Sequence, residues 1–520
     1  MSASTNVESA RHGTRLPWGD ILLSAIASVS WALIGMAGTA ALGLRLLEAD
    51  TAGSFCPMTA AVVALGAGGS VTPSGDVSAF GLTGAEAATA VEITPLGVSL
   101  VGAVLLSWFF LRSLRGAGVV IAPAELLARA GAVVALFVAM LGGLAWAGHD
   151  VITIDGSSLG LDDLPGGGGG GDGAGIEIPG VGDIGDIGGI GGLLPDQIGD
   201  LIDAKAAVGF TVDTAPTLLG GMGWSAGILL IALLASRRTP LPAGWEAVHR
   251  VVRPAASAVV TVLLVAVAAG LAAAVYAAIG DDHPKRIAGA ALLGAPNGVW
   301  LGIPIGLFAP FDGRATGVLA GLLPAPLDDL LNGGADQPVT LGRLAELDGR
   351  VWLLAVAGAL MMLLAGVLTA VRTPVVGGGG RYGGRGDGSG EAPGLRGGVA
   401  SGAVRPSGAG AAGGAVSGGV RAPGPLGFAG QCALRLGTAT ALTLPLLAWL
   451  TELSVDASLS VLGFDAFGAG VELRGNLGMA LLLGAAWGAG AGAVGALLAW
   501  ATGAAGQRAA PPARGEVAGR

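Results

Sequence analysis

Long apolar segments are the feature that most constrains this chain. A helix needs about 20 mostly apolar residues to cross a hydrocarbon core of roughly 30 Å. Eight segments meet or approach this length: 21–44, 95–112, 130–147, 216–235, 255–279, 351–371, 432–450 and 477–501. The sequence therefore predicts an all-α fold, a polytopic transmembrane helical bundle with about eight spans.

The composition agrees with this prediction. Of the 520 residues, 52% are hydrophobic and 12% are charged, whereas a soluble domain carries about 25% charged residues. This excludes a soluble enzyme and a cytosolic nucleic-acid binder, and the 97 glycines follow no collagen-like triplet period. The predicted partner is the lipid bilayer, with no nucleic acid. The composition identifies no protein partner and leaves a homo-oligomer open.

The distribution of charge predicts the orientation. The first apolar segment exceeds the roughly 7–15 residues of a signal peptide, so we expect a retained span. With eight spans and both termini in the cytoplasm, 19 of the 27 cationic side chains lie inside and 29 of the 36 acids lie outside. The inner face then carries +12 and the outer face −21, which together make the net −9. Because positive charge favours the inner side, we expect a multi-pass protein of the cell (cytoplasmic) membrane with cytoplasmic N- and C-termini.

One further apolar segment complicates the count. Residues 287–311 are apolar but contain Pro296, Asn297, Pro304 and Pro310. A ninth span would place the arginine-rich region after residue 371 outside. The sequence therefore favours a re-entrant or surface-lying element with non-helical backbone shielded by protein. The shorter stretch 58–69 has the same interpretation.

The loops divide the chain into seven regions. The glycine-rich loops are expected to be disordered, because they bury too little apolar surface to offset chain entropy. In order, the regions are a cytoplasmic N-terminus (1–16), three spans with an outer loop at 45–94 (17–149), an acidic outer loop (150–213), three spans with the re-entrant segment (214–371), a cytoplasmic Gly/Arg-rich linker (372–428), two spans (429–506) and a cytoplasmic tail (507–520).

Glycines at helical spacing are the candidate packing residues. Gly484, Gly488 and Gly492 share one face of the last helix, and Gly35 and Gly43 share one face of the first. Small residues at this spacing let helices approach closely. Packing within the chain is the favoured interpretation, and a subunit or pore contact is the alternative.

The sequence predicts no catalytic, cofactor-binding or metal-binding residues. Cys56 and Cys432 fit no pair or cluster, and the four histidines show no metal-ligand spacing. The acids of the outer loop could offer oxygen ligands to a hard cation, but their spacing matches no calcium motif, so a solvated loop is favoured. We predict no enzyme activity and no cofactor.

Two larger patterns concern the organisation of the chain. Three external segments, 70–100, 208–224 and 454–476, mix β-branched residues with acids and could form a partly ordered extracytoplasmic cap, or could simply lead into helices. Returning helices end near Arg112, Arg237, Arg372 and Arg508. The nearly regular spacing of these four arginines along the chain has two explanations. It indicates either a fourfold repeat of helical hairpins or the positive-inside rule alone.

Three long motifs carry a family resemblance. They are RLPWGDILLSAIASVSWALIGMAGTAALGL with GGSVTPSGDVSAFGLTGAEAATAVEITPLGVSLVG, and SVDASLSVLGFDAFGAGVELRGNLGMALLLGAAWGAGAG near the C-terminus. The chain resembles the streptophobe family, hydrophobic and glycine-rich membrane proteins of actinobacteria. The resemblance implies residence in a membrane, and it transfers no activity and no site residues.

Two functional hypotheses follow. The first is a transport or channel-like helical bundle in which 287–311 lines a cavity. The alternative is a structural or envelope-organising membrane protein that presents an extracytoplasmic cap to a partner. An integral-membrane enzyme is disfavoured because no nucleophile–base or metal constellation is visible.

Overall fold

The computed structural model describes residues 16–49, 54–76, 85–116, 122–147, 149–155, 205–237, 251–316, 338–374, 424–461 and 464–507. The protein is an all-α helical bundle, as predicted, and a β-sheet covers one of its ends. The helices are α1 (Trp18–Leu46), α2 (Phe55–Gly66), α3 (Leu96–Gly116), α4 (Pro123–Ala147), α5 (Thr214–Ala235), α6 (Arg253–Ile279), α7 (Pro284–Gly306), α8 (Leu341–Leu347), α9 (Trp352–Arg372), α10 (Pro425–Leu450) and α11 (Leu477–Ala501).

Nine helices of the described ranges, all except α2 and α8, are long and apolar enough to cross a membrane. The eight predicted spans are among them, although several helices begin earlier than predicted. Helices α4 and α10 start at Pro123 and Pro425, because proline suits the first turn of a helix, where its missing N–H costs nothing. The ninth helix is α7.

The expectation of non-helical backbone in 287–311 is wrong. Helix α7 is continuous from Pro284 to Gly306 and contains Pro296 and Pro304. Each proline removes one helical hydrogen bond, but a proline in an apolar helix is tolerated where neighbouring groups re-satisfy the backbone. The helix ends in a turn, and strand β5 begins at Phe311.

All seven strands of the described residues belong to one sheet. Its order is β3-β4-β1-β2-β6-β7-β5, and every pairing is antiparallel. The strands are β1 (Val71–Asp76), β2 (Ala85–Glu92), β3 (His149–Asp155), β4 (Lys205–Val212), β5 (Phe311–Thr316), β6 (Leu453–Val461) and β7 (Phe464–Gly475). The three segments expected to form an ordered cap thus supply β1, β2, β4, β6 and β7.

The sheet also includes the ends of a predicted loop. Strands β3 and β4 occupy both ends of the acidic region 150–213, where the sequence predicted a flexible linker. The middle of that region, most of the 372–428 linker, the N-terminus before residue 16 and the tail after residue 507 lie outside the described residues, and the disorder predicted for them stays a prediction.

The chain is built from two halves of the same design. The first half runs α1–α2–β1–β2–α3–α4–β3–β4–α5, and the second runs α6–α7–β5–α8–α9–α10–β6–β7–α11. Equivalent helices pack in equivalent pairs. Helix α1 packs on α3 as α6 packs on α9, and α4 packs on α5 as α10 packs on α11. Helix α2 packs on α1, α3 and α4, and its counterpart α7 packs on α6, α9 and α10. The structure therefore supports a twofold repeat rather than the fourfold repeat of hairpins.

The turns after α2 and α7 show the repeat in atomic detail. Gly68 has φ +82° and Phe308 has φ +68° at equivalent positions. The N–H of the next residue donates back into the helix at 2.9 Å in both halves. Two residues further on, the strands pair alike, with Val71 opposite Val212 and Phe311 opposite Gly475.

Buried positions repeat in the same way along α4 and α10. The buried residues of α4 match buried residues of α10 at one constant spacing. In order they are Leu126, Arg129, Val133, Phe137, Leu141 and Ala145 in α4, and Ala429, Cys432, Leu436, Thr440, Leu444 and Ala448 in α10. Equivalent helices thus bury the same face in both halves.

Candidate functional site at the junction of the two halves

Helix α7 joins the two halves. It packs on α6, α9 and α10 of its own half and on α1 and α3 of the first half. Its counterpart α2 has only 12 residues and packs on no helix of the second half at comparable extent within the described residues. The N-terminal part of α7, which α2 lacks, contributes Gly289 and Leu293 to the contacts with the first half.

Asn297 of α7 binds the start of α3. Its Nδ2 donates to the Thr94 carbonyl oxygen at 2.7 Å, and the Leu96 N–H donates to its Oδ1 at 3.0 Å. The first N–H groups of a helix have no partner within the helix, so Asn297 caps α3 from the other half. The sequence singled out Asn297 as a helix-breaking residue and missed this role, because its partners are about 200 residues away.

Glycines permit the close approach of α7 to the first half. A Cβ at Gly43 would lie 2.6 Å from Leu293, and a Cβ at Gly97 would lie 2.7 Å from the Leu293 carbonyl oxygen. A side chain at Gly97 would clash with backbone, whereas a side chain at Gly43 would force the Leu293 side chain to shift. The predicted packing residue Gly43 therefore lies against α7.

The other predicted glycines lie between helices of the same half. Gly35 faces Val101 and Leu105 of α3. A Cβ would lie 2.5 Å from the Thr440 carbonyl oxygen at Gly484, 2.8 Å from the Leu436 carbonyl oxygen at Gly488 and 2.6 Å from the Cys432 carbonyl oxygen at Gly492. These three glycines bring α11 against the backbone of α10.

A small cavity lies inside the second half. Its volume is about 40 Å³, and its walls come from α6, α7, α9, α10 and α11, including Ile303 of α7 and Leu307, which directly follows that helix. The hydroxyls of Thr440 and Thr443 donate to backbone oxygens, of Gly484 at 2.6 Å and of Ala439 at 2.8 Å. With these hydroxyls engaged, the cavity is apolar, and it suits a small apolar group better than an ion or water.

The bundle end away from the sheet contains anchored arginines. Arg129 forms an ion pair with Glu125 at 2.9 Å. Arg372 of α9 donates to Ser257 at 3.2 Å and to Thr261 at 3.3 Å, both on α6. The sequence placed Arg372 at the end of a span, and the structure adds that it ties α9 to α6.

A charged group lies where α10 meets the sheet. Burial raises the pKa of Glu452, which follows α10, while Arg474 lowers it and Glu472 raises it. Arg474 also forms an ion pair with Glu472 within β7. The carboxyl of Glu452 is therefore less easily ionised than an exposed one.

Metal-binding chemistry finds no support in the described part of the chain. No group of three or more His, Cys, Asp or Glu side chains there comes close enough to hold a metal ion. Cys56 is exposed on α2, Cys432 is buried on α10, and both are free thiols.

Comparison of the chain with known proteins gives no match to a family model, a curated protein or a solved structure. The function of the site therefore has to follow from its own geometry. That geometry brings together a membrane-spanning type of bundle, a sheet shared by both halves and a helix that locks the halves together.

Proposed function

We propose that this multi-pass membrane protein is a non-catalytic scaffold that holds a β-sheet platform on the outer face of the cytoplasmic membrane and organises the envelope there. The proposal includes eight spans, cytoplasmic termini and membership of the streptophobe family. The observation that carries it is the single sheet, which takes strands from both halves at one end of the bundle.

The chain path around the sheet supports eight spans. Helix α5 leaves the sheet at β4, and α7 returns to it at β5. If the sheet lies on one side of the membrane, only one of the two helices α6 and α7 crosses. Helix α6 is longer and has a mean hydropathy of 2.7, against 1.3 for α7. Helix α7 also contacts the sheet-proximal ends of α1 and α3, which supports α6 as the span and α7 as the helix at the outer side.

The charges support an outward-facing sheet. Arg115, Arg129 and Arg372 lie toward the bundle end away from the sheet, where few acids accompany them. The sheet end also has cations, such as Lys285 and Arg314, but these lie among more numerous acids, such as Asp281 and Asp312. Arginine on the inner side matches the positive-inside rule.

The way strands join spans supports a rigid platform. The Asp213 N–H donates to the Ser70 oxygen at 3.0 Å, and the Asn476 N–H donates to the Pro310 oxygen at 3.1 Å. Both donors immediately precede the span that leaves the sheet. The sheet is thus hydrogen-bonded to the starts of α5 and α11.

Labelling with a membrane-impermeant maleimide tests the topology in intact cells. The exposed native Cys56 should react from outside. In a Cys56→Ser background, Lys285→Cys and Asp312→Cys should both react from outside, while Arg115→Cys should react only after permeabilisation. Labelling of Asp312→Cys but not Lys285→Cys would mean that α7 crosses and α6 does not, which contradicts the proposal.

Crosslinking tests the scaffold function. A photo-crosslinker at Asp312 of β5 should capture an envelope component, and the same group at Leu442, exposed on α10, should capture only lipid. Recovery of lipid alone at both positions would count against the scaffold.

The twofold repeat and the cavity beside α7 favour transport as the second candidate, because many transporters have internal repeats. The apolar lining of that cavity, in which the threonine hydroxyls are already hydrogen-bonded, gives a polar solute no binding group and so favours the scaffold. Solute flux in proteoliposomes that is lost when Thr440→Phe fills the cavity would reverse this ranking.

A further inference from the structure

The two halves are joined head to tail. Helix α6 of the second half packs on α5 of the first, and α7 packs on α1 and α3. Exchanging each helix for its counterpart in the other half gives the reciprocal contacts. They would be α1 on α11, the counterpart of α6 on α5, and α2 on α6 and α9, the counterpart of α7 on α1 and α3. None of these three is a packed pair among the described residues. The joint therefore leaves one face of each half uncovered.

The uncovered face of the second half has a groove. It lies between α9 and α11, has a volume of about 420 Å³ and is lined by apolar residues. Trp487 and Met362 form walls, and Gly490 keeps the groove open, since a Cβ there would meet nothing within 4 Å. From Leu483 to Val494 the groove follows α11 for about 16 Å at 1.5 Å per residue.

The uncovered face of the first half has a matching ridge. Leu23, Ile26 and Ile34 of α1 are each at least half exposed, and their spacing places them along one stripe of the helix. The stripe is also about 16 Å long. Helix α6 packs on α5 within the chain. Because α1 is the counterpart of α6 and α11 is the counterpart of α5, a contact of α1 with α11 would be the equivalent one.

The ridge and the groove lie at the same depth. Leu23 and Ile34 are five and sixteen residues from the α1 terminus away from the sheet. Val494 and Leu483 are seven and eighteen residues from the corresponding terminus of α11. The mismatch of two residues is about 3 Å, so two copies in one membrane would present the ridge and the groove to each other.

We propose that α1 of one copy docks into the α9–α11 groove of a second copy and so repeats between chains the α5–α6 contact within the chain. The two surfaces differ, so the interface is heterologous and can be extended into a ring or a row. The small residues Ala486 and Gly490 permit close approach of α1. The inference rests on the proposed placement of the helices in the membrane.

Crosslinking between two differently tagged copies tests the interface. Both carry Cys56→Ser, and one carries Ile34→Cys while the other carries Ala486→Cys, at equal depth. We expect a crosslinked heterodimer in native membranes. Ile34→Cys with Val494→Cys, at unequal depth, is the matched control and should give at least about tenfold less product, because the pair is separated by about 13 Å along the membrane normal.

Filling the groove provides the second measurement. Gly490→Phe should reduce crosslinking and self-association about tenfold or more, as expected for an overpacked contact. Gly131→Phe on α4, where a Cβ also meets nothing, should leave both unchanged. A monomer in native nanodiscs with no crosslink, including one with lipid retained in the groove, would overturn the proposal. Labelling of Lys285→Cys tests the topology separately, so the two failures are distinguishable.

Discussion

The two halves have the same frame but fill it in opposite ways. Between α4 and α5, Phe137 stacks on Trp224 with ring centroids 5.1 Å apart. The equivalent positions between α10 and α11 hold Thr440 and Trp487, and the helices there meet through Gly484 and its neighbours. The first half fills the space with side chains, whereas the second half removes the space by bringing backbones together.

This difference shows which positions tolerate change. A side chain can shift when a neighbour grows, but a backbone fixed in two helices cannot. Close helix packing through small residues is therefore less tolerant of added volume than packing through large side chains, which lose stability when truncated. The matched positions of the halves allow each effect to be measured against its own control.

The largest expected effect is at the glycines. Gly484 and Gly221 are equivalent, but an added Cβ meets the Thr440 carbonyl oxygen at Gly484 and only the end of the Leu141 side chain at Gly221. Gly484→Ala should lower the free energy of unfolding by about 3 kcal/mol. Gly221→Ala should change it by less than about 1 kcal/mol, because the helix propensity of alanine offsets the crowding. Reversible SDS unfolding in mixed micelles measures both, and equal losses would contradict the contrast between side-chain and backbone packing.

The next effect concerns the hydrogen bonds by which Asn297 joins the second half to the first. Asn297→Ala removes two hydrogen bonds and leaves the Leu96 N–H without its cap, so unfolding should become easier by about 2 kcal/mol. Pro57 occupies the equivalent position in α2, and Pro57→Ala should cost less than about 1 kcal/mol. Hydrogen exchange at the start of α3 should rise only in the Asn297 variant. Unchanged exchange there would exclude the capping role.

A smaller effect is expected at the tryptophans. Trp224 donates to the Ser99 hydroxyl at 2.7 Å. In the second half, Trp487 is equivalent to Trp224, but the position equivalent to Ser99 is Ala355, which has no hydroxyl to accept a hydrogen bond. Ser99→Ala should lower stability by about 1 kcal/mol, the net worth of a hydrogen bond. Ala355→Ser is the matched variant and should have the smaller effect on thermal unfolding. An effect as large as that of Ser99→Ala would mean that the two indoles have more similar surroundings than the repeat indicates.

The sequence predicted much of the bundle because apolar length and glycine spacing are local signals. All eight predicted spans are helices, and Gly484, Gly488 and Gly492 do share one face. Helix α7 was misjudged because a proline reads as a helix breaker, although neighbours in an apolar environment can compensate for the lost hydrogen bond.

The sheet depends on contacts between distant residues. Strands β1 and β4 pair across more than 130 residues, and alternation within short strands does not specify such partners.

Residue identity between the halves is uneven. Helices α5 and α11 share the pattern LL-x-G-x-x-W-x-A-G at 218–227 and 481–490, whereas α4 and α10 differ at positions such as Phe137 and Thr440. The shared pattern is a local signal of the repeat that the sequence analysis missed, and the common burial pattern extends the match to helices whose residues differ.

The smallest expected effect depends on pH and lies at the sheet end of the second half. Because burial raises the pKa of Glu452, the folded protein binds this proton more tightly than the unfolded chain does. Stability should therefore fall as pH rises from the ordinary carboxyl pKa through the raised one, and it should stay reduced above that. Glu452→Gln removes the charge and should raise the melting temperature at neutral pH but not at pH below the carboxyl range. Glu346→Gln removes a charge from an exposed position on α8 and is the control for net charge. A gain from Glu452→Gln that is equal at all pH values would show that packing, and not ionisation, is responsible.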